Sequence, residues 1–100
     1  MMTGAINPFC VYTTSNPKRT VFYTGVTNDL RRRMEEHRQN RGQKKIFAGR
    51  YYCYELIYYE CYPYMSMAIQ REDEIKEMSR EKKEALIKAM NPKMNKLNMG

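Results

Sequence analysis

The chain has 100 residues, a net charge of +7 and 42% hydrophobic residues. This length gives one domain with a modest core and excludes two. We find no signal peptide and no apolar run near the ~18 residues that a membrane-spanning helix needs, so we expect neither a secreted nor a membrane protein. These features predict a cytoplasmic protein.

The positive charge is concentrated in one stretch of the chain. Residues 18–50 contain ten Lys or Arg against three acids, which accounts for the whole net charge. Such a stretch is typical of a protein that binds a phosphate backbone, and the alternative is a solvated basic surface. The predicted nucleic-acid-binding residues are Lys18, Arg19, Arg31, Arg32, Arg38, Arg41, Lys44, Lys45 and Arg50.

A hairpin and a helix are predicted first. Residues 11–13 and 20–23 are β-branched and aromatic, and Ser-Asn-Pro-Lys at 15–18 is a turn signal between them. Asn28 or Thr27 can cap a helix that runs from Asp29 to about Arg38. A polar, basic loop then leads to Arg50.

Three more elements are predicted after this loop. Residues 51–60 read as a tyrosine-rich strand, 65–78 as a second helix and 79–90 as a third helix. Ser79 can cap the third helix, and Asn91-Pro92 ends it. The order β-β-α-β-α-α predicts an α+β fold in a single domain over residues 1–100.

The tyrosines of the second half of the chain allow two interpretations. They can combine core rings with surface hydroxyls, or some can stack on unpaired bases, and spacing alone does not separate the two. These residues are Tyr51, Tyr52, Tyr54, Tyr58, Tyr59, Tyr62 and Tyr64.

Helical spacing selects one arginine of the triplet at 31–33. At ~100° per residue, Arg33 flanks the apolar stripe of Leu30 and Met34, whereas Arg31 and Arg32 point towards solvent or substrate phosphates. The alternative for Arg33 is an aliphatic stem that covers the edge of the core.

The same spacing selects one acid of the second helix. Glu72 falls on the apolar stripe with Ala68 and Ile75, while the other acids of that helix point away. A carboxylate on a buried face needs a cation, either a metal ion or the side chain of a salt bridge. A metal ion held by one carboxylate keeps most of its coordination positions for water and phosphate oxygens. This suits Mg²⁺ or Mn²⁺ and not Zn²⁺.

The three cysteines are Cys10, Cys53 and Cys61. They form no C-x-x-C pair, and the single histidine, His37, adds no cluster of metal ligands. Free thiols in a reducing compartment are therefore expected, with Cys10 and Cys53 as core residues of strands.

Three segments together resemble the GIY-YIG nuclease family. They are Cys10-Val11-Tyr12, Phe22-Tyr23-Thr24-Gly25 and the helix from Leu30 to His37. The resemblance covers nearly the whole chain and points to the short, single-domain bacterial branch. It extends to the N-terminal nuclease domain of a bacterial DNA-repair excinuclease and to the catalytic domain of homing endonucleases. It implies a small three-stranded antiparallel sheet flanked by helices.

The resemblance also implies site residues and a cofactor. The implied catalytic set is Tyr12, Tyr23, Arg33, His37, Glu72 and Asn95. Glu72 would hold one Mg²⁺ or Mn²⁺ ion, and Arg33 would stabilise the transition state. Asn91 is the alternative to Asn95. Cys10 replaces the glycine of the first triplet, and Thr24 replaces a small apolar residue of the second, but both phenols are kept.

Two functions follow as hypotheses. The first is a metal-dependent endonuclease that hydrolyses DNA phosphodiester bonds, in repair or in the processing of structured DNA. The second is a nucleic-acid-binding module that keeps the fold without turnover. DNA is the expected partner, with RNA left open, and the chain is expected to be monomeric, with a protein partner for targeting as an open question.

Overall fold

Three strands form one antiparallel sheet in the order β2-β1-β3. The structure is a computed structural model that describes residues 8–98. The strands are β1 (Phe9–Ser15), β2 (Phe22–Thr27) and β3 (Glu55–Tyr62). The helices are α1 (Leu30–Gln39), α2 (Phe47–Arg50), α3 (Met65–Lys76) and α4 (Arg80–Met90). The predicted α+β fold and its three-stranded antiparallel sheet are confirmed.

The two faces of the sheet carry different cores. Val11 and Ile57 pack with Ala68 and Ile75 of α3, and Ile87 of α4 joins them. We call this side the α3 face. On the other side a smaller cluster contains Tyr12, Met34 and Leu56, with Tyr23, Leu30 and Leu97 packed against it. We call this side the α1 face.

An irregularity in β3 explains why its hydrophobic pattern does not alternate. Tyr58 pairs with Thr13 and Leu56 with Thr14, which leaves Ile57 as an extra residue. Because of this bulge, Ile57 and Tyr58 both join the core of the α3 face although they are adjacent in the chain. Tyr59, which pairs with Tyr12, then returns to the α1 face.

One of the two predicted helix caps is confirmed, and the other is wrong. Ser79 caps α4 by accepting a hydrogen bond from the Lys82 N–H, as predicted. The first helix is capped by Asp29, which accepts from the Arg32 N–H, and not by Asn28 or Thr27. Thr27 instead accepts a hydrogen bond from the N–H of Asp29, the residue that caps the helix.

The third strand begins at Glu55, so the predicted strand at 51–60 starts too early. Residues 47–50 form the short helix α2, and the chain then turns through Tyr52, whose φ of 58° is left-handed. The N–H groups of Tyr52 and Cys53 donate to the carbonyls of Gly49 and Ala48 and close this turn. Aromatic density alone does not distinguish such a turn from a strand.

The prediction of three free thiols is wrong for two of them. Cys10 and Cys61 face each other across β1 and β3 and form a disulfide, with their Cα atoms 4.0 Å apart. A separation of 51 residues in the chain gives no sign of this pairing. Cys53 is a free, buried cysteine, but it lies in the turn before β3 and not in a strand. Within residues 8–98 no helix has the length and apolarity that spanning a membrane requires.

Candidate functional site

The hydroxyl of Tyr12 joins two side chains of α1. It lies 2.9 Å from Nε2 of His37 and accepts a hydrogen bond from Nε of Arg33 at 3.1 Å. Strand β1 supplies the phenol, and one helical turn of α1 supplies the two partners, because residues four apart share a face. The structure therefore brings together three of the predicted site residues.

The protonation states of this cluster follow from burial. Burial, together with the nearby Arg33 guanidinium, lowers the pKa of His37 to about 4, so the imidazole is neutral at pH 7. Burial raises the pKa of Tyr12 to about 12, so the phenol keeps its proton. The hydrogen bond to Tyr12 raises the pKa of Arg33 further. Arg33 thus donates to Tyr12, and the Tyr12 hydroxyl shares a second hydrogen bond with Nε2 of the neutral His37.

The two phenols differ in their access to solvent. Tyr12 is fully buried, whereas Tyr23 on β2 is only partly buried. The ring of Tyr23 lies 5.4 Å from the imidazole of His37 and 6.3 Å from the ring of Tyr12, measured between centroids. All four predicted residues of the first half of the site, Tyr12, Tyr23, Arg33 and His37, are therefore contiguous. Tyr23 is the phenol that an incoming molecule can reach.

Gly25 is required by the position of the Tyr12 ring. The two residues pair directly across β1 and β2, and the ring of Tyr12 crosses over Gly25. A Cβ atom at position 25 would lie 2.6 Å from the Tyr12 hydroxyl oxygen and 2.9 Å from Cζ. Both distances are shorter than real Cβ contacts allow. The glycine of Tyr23-Thr24-Gly25 is thus explained by packing against the phenol of the other triplet.

Arg33 is only partly neutralised. Its Nη1 lies 2.9 Å from Oε1 of Glu36, and both side chains keep about two-fifths of their surface exposed, 39% and 42%. A cavity of about 330 Å³ opens beside them, and Arg32, Thr27 and Met65 are among its other lining residues. The guanidinium therefore borders a cleft between α1 and the first turn of α3. Glu36 is a site neighbour that sequence reasoning missed, although its i,i+3 spacing from Arg33 is a recognisable signal.

Glu72 lies on the side of α3 that the sequence predicted. Its side chain is 18% exposed, and the carboxylate pairs with Nζ of Lys76 at 3.1 Å. The buried residues Ala68 and Ile75 flank it on the same helix face. Met65, which lines the cleft, lies two helical turns before it on that face, about 10 Å along the axis.

The donor set near Glu72 limits the metals that it can hold. Among residues 8–98, no three His, Cys, Asp or Glu side chains converge into a metal site. A structural zinc site of four protein ligands is therefore not present in that part of the chain. A single carboxylate fits an ion such as Mg²⁺, which retains waters and binds substrate phosphates.

The two asparagines after α4 have different environments. Asn91 is buried, and its side-chain amide donates to the carbonyls of Ile57 and Asn95 at 2.9 and 2.8 Å. Its Oδ1 accepts from the Asn95 N–H at 3.2 Å. Asn91 thus anchors the C-terminal segment to β3. The side chain of Asn95 is exposed, and its catalytic role stays a prediction.

The predicted nucleic-acid-binding residues divide into two groups. Arg19 is turned inwards, where it pairs with Glu55 at 2.8 Å and donates to the carbonyl of Met94 at 2.7 Å. Its guanidinium is therefore engaged by groups of the protein itself. The others are exposed and lie before β2, on α1 and in the loop around α2: Lys18, Arg31, Arg32, Arg38, Arg41, Lys44, Lys45 and Arg50.

Comparison with known proteins agrees with this geometry. The GIY-YIG catalytic domain family matches residues 8–85. A UPF0213 protein of Haloquadratum walsbyi is 44% identical over 64 residues, which cover 64% of this chain and 70% of the relative. A UPF0213 protein of Natronomonas pharaonis is 43% identical over 77 residues, 77% of this chain and 87% of its own. One of Staphylococcus aureus is 42% identical over 66 residues, 66% and 78% of the two chains. No solved structure gives a significant match.

Proposed function

Because the chain belongs to the GIY-YIG catalytic domain family, we propose that it is a metal-dependent endonuclease that hydrolyses DNA phosphodiester bonds. The observation that carries the proposal is the buried contact of Tyr12 with both Arg33 and His37 beside an open cleft. This contact holds the Arg33 guanidinium at the place where the family motifs meet. Its charge is only partly balanced by the half-exposed Glu36. The same proposal places the protein in the cytoplasm, where DNA is accessible.

In the proposed mechanism Arg33 binds the scissile phosphate. A guanidinium can hold two phosphate oxygens, and its charge stabilises the extra negative charge of the transition state. Tyr12 keeps the Arg33 side chain in place through the hydrogen bond to Nε. Neutral His37 completes this support because its Nε2 is hydrogen-bonded to the same hydroxyl. Tyr12 is therefore assigned a positioning role in the reaction.

Tyr23 is assigned to the nucleophile. Its ring borders His37 and is only partly buried, whereas Tyr12 is fully buried. In this role Tyr23 orients the attacking water in line with the leaving oxygen.

Glu72 would hold the divalent ion, Mg²⁺ or Mn²⁺. When bound, such an ion supplies Lewis-acid stabilisation of phosphate oxygens. In the structure Lys76 neutralises the Glu72 carboxylate, so binding of the ion requires that Lys76 releases it. This pairing is also the observation that favours the second candidate, a binding module that has the fold but no turnover.

A nicking assay separates the two candidates. Supercoiled plasmid and branched and single-stranded DNA are incubated with Mg²⁺ or Mn²⁺, using the wild type, Glu72→Gln and Asp73→Asn. Asp73 is the matched control, because it is an exposed carboxylate on the same helix. We expect Glu72→Gln to lose cleavage and to bind fewer Mn²⁺ ions by electron paramagnetic resonance, while Asp73→Asn keeps both. Full cleavage by Glu72→Gln, with a lowered free energy of unfolding, would instead identify Glu72 as a salt-bridge residue.

A further inference from the structure

Tyr59 is an exposed ring in the middle of a strand. Its neighbours Ile57 and Tyr58 are buried at 0% and 5% exposure, whereas Tyr59 is 39% exposed. It pairs directly with Tyr12 across β1 and β3, so the two side chains project from the same face of the sheet. Tyr59 therefore lies on the α1 face, beside the candidate site and beyond the part of the sheet that α1 covers.

Packing within the described residues gives no reason for a tyrosine here. Met34 and Leu97 contact the sheet around Tyr12 and Leu56, and Tyr59 belongs to neither core cluster. Within residues 8–98 its hydroxyl makes no hydrogen bond. The next residue on the same face, Cys61, is also exposed and is tied by the disulfide to Cys10. The α1 face thus presents an exposed aromatic ring beside the Cys10–Cys61 disulfide.

The distance to the site is that of a neighbouring nucleotide. The ring of Tyr12 leans over Gly25 on β2, so its hydroxyl and Arg33 lie towards β2. Gly25 and Tyr59 pair with Tyr12 from either side, so two strand spacings of about 4.8 Å place their backbones on the order of 10 Å apart. A chain whose phosphate is held at Arg33 would carry an adjacent base over Tyr59.

We propose that Tyr59 is a stacking platform for an unpaired nucleobase next to the phosphate bound at Arg33, so that the substrate is single-stranded at this position. The proposal rests on the proposed function, since Arg33 must bind a nucleic-acid phosphate. Charge complementarity identifies the occupant, because the cluster at Tyr12 carries the Arg33 cation and three further exposed arginines, Arg31, Arg32 and Arg38, lie on the same helix. Within a duplex each base face is already stacked, so an exposed ring selects an unpaired base.

A single tryptophan provides the test, because the chain contains none. The Tyr59→Trp variant carries the reporter at the platform, and Tyr64→Trp carries it in the turn before α3, where the side chain is 67% exposed. Binding is measured with EDTA present, so that cleavage plays no part. The probes are a (dT)₁₂ oligonucleotide, a 12-mer abasic at its central positions, and a blunt duplex of the same length.

We expect saturable quenching of the Tyr59→Trp emission by (dT)₁₂, little by the abasic strand or the duplex, and no change for Tyr64→Trp. Tyr59→Ala should bind (dT)₁₂ about 5- to 100-fold more weakly than wild type, because stacking contributes that much per base, and should bind the duplex equally well. Tyr59→Phe should bind like wild type, since only the hydroxyl is lost.

Equal affinity of Tyr59→Ala and wild type for (dT)₁₂, or equal quenching by single strand and duplex, would overturn the proposal. So would a dimer in light scattering that Tyr59→Ala dissociates, because a second copy would then cover the ring. Quenching without any metal-dependent cleavage would support the platform while refuting the nuclease. Cleavage without quenching would support the nuclease and overturn the platform.

Discussion

Two clusters of tyrosine and arginine lie on opposite faces of the same sheet. On the α1 face, Tyr12 contacts Arg33 and a neutral histidine. On the α3 face, Glu60 accepts hydrogen bonds from the hydroxyls of Tyr58 and Tyr62 and pairs with Arg71 through two nitrogens at 2.9 and 3.0 Å. The residue types are similar, but only the second cluster contains a central carboxylate.

The carboxylate decides what each cluster can do. Burial alone would raise the pKa of Glu60, but the hydrogen bonds from Arg71, Tyr58 and Tyr62 outweigh it and lower that pKa. Glu60 therefore balances the charge of Arg71 and fastens α3 to β3. The Arg33 cluster has only the half-exposed Glu36 as its anion and opens onto a cleft. Comparable side chains thus give a structural clamp on one face and the proposed anion-binding site on the other.

The largest expected contrast is between the two arginines. Arg33→Ala should lower the cleavage rate by ~10²-fold or more, because a transition-state cation is lost, and should change stability little. Arg71→Ala should instead lower the free energy of unfolding by about 1.5–3 kcal/mol, the contribution of hydrogen bonds to a charged group, with the rate retained. Urea denaturation and the plasmid assay measure both quantities. If Arg33→Ala cleaves like wild type, Arg33 is not the transition-state cation.

A smaller contrast is expected among the phenols. Tyr23→Phe should cut the rate by ~10²-fold with a stability change below about 1 kcal/mol, because it removes a group that orients the water. Tyr12→Phe should lower both rate and stability, since His37 and Arg33 each lose a hydrogen-bond partner. Tyr58→Phe should affect stability alone. Two fully active variants at positions 12 and 23 would transfer the role of the phenols to His37.

The dependence of stability on pH separates the two clusters by their titration ranges. The pKa of His37 is about 4 when folded, against ~6.5 when unfolded. Between these values the unfolded chain binds a proton that the folded chain does not, so stability is complete above about pH 6.5 and falls by roughly 2–3 kcal/mol towards pH 4. For Glu60, whose folded pKa is lowered, the loss begins only as pH falls below its ordinary ~4.5.

Urea denaturation at pH 7.0, 5.5 and 4.5 checks this dependence. The His37→Gln variant should flatten the curve between pH 6.5 and 4.5 and leave the drop at lower pH in place. A wild-type stability that does not change between pH 7 and 5 would show that His37 is not held neutral by the fold.

The sequence predicted the elements whose signals are local. Ser79 as a cap, the spacing of Arg33 and His37 and the position of Glu72 between Ala68 and Ile75 all depend on residues within one or two helical turns. The turn signal at 15–18 likewise placed the hairpin. Helix geometry is fixed by the backbone itself, so such relations can be read without knowing the rest of the molecule.

Only the tertiary structure decided the relations that depend on strand pairing. The register sets Tyr12 over Gly25, joins Cys10 to Cys61 and brings Tyr59 to the α1 face, and the bulge at Ile57 fixes which face each residue of β3 takes. These residues are far apart in the chain, and a shift of one residue would exchange the two faces. Tyr12 is fully buried on the central strand and Tyr23 only partly buried on an edge strand, and this follows from the strand order, which is why the sequence identified both phenols but could not assign their roles.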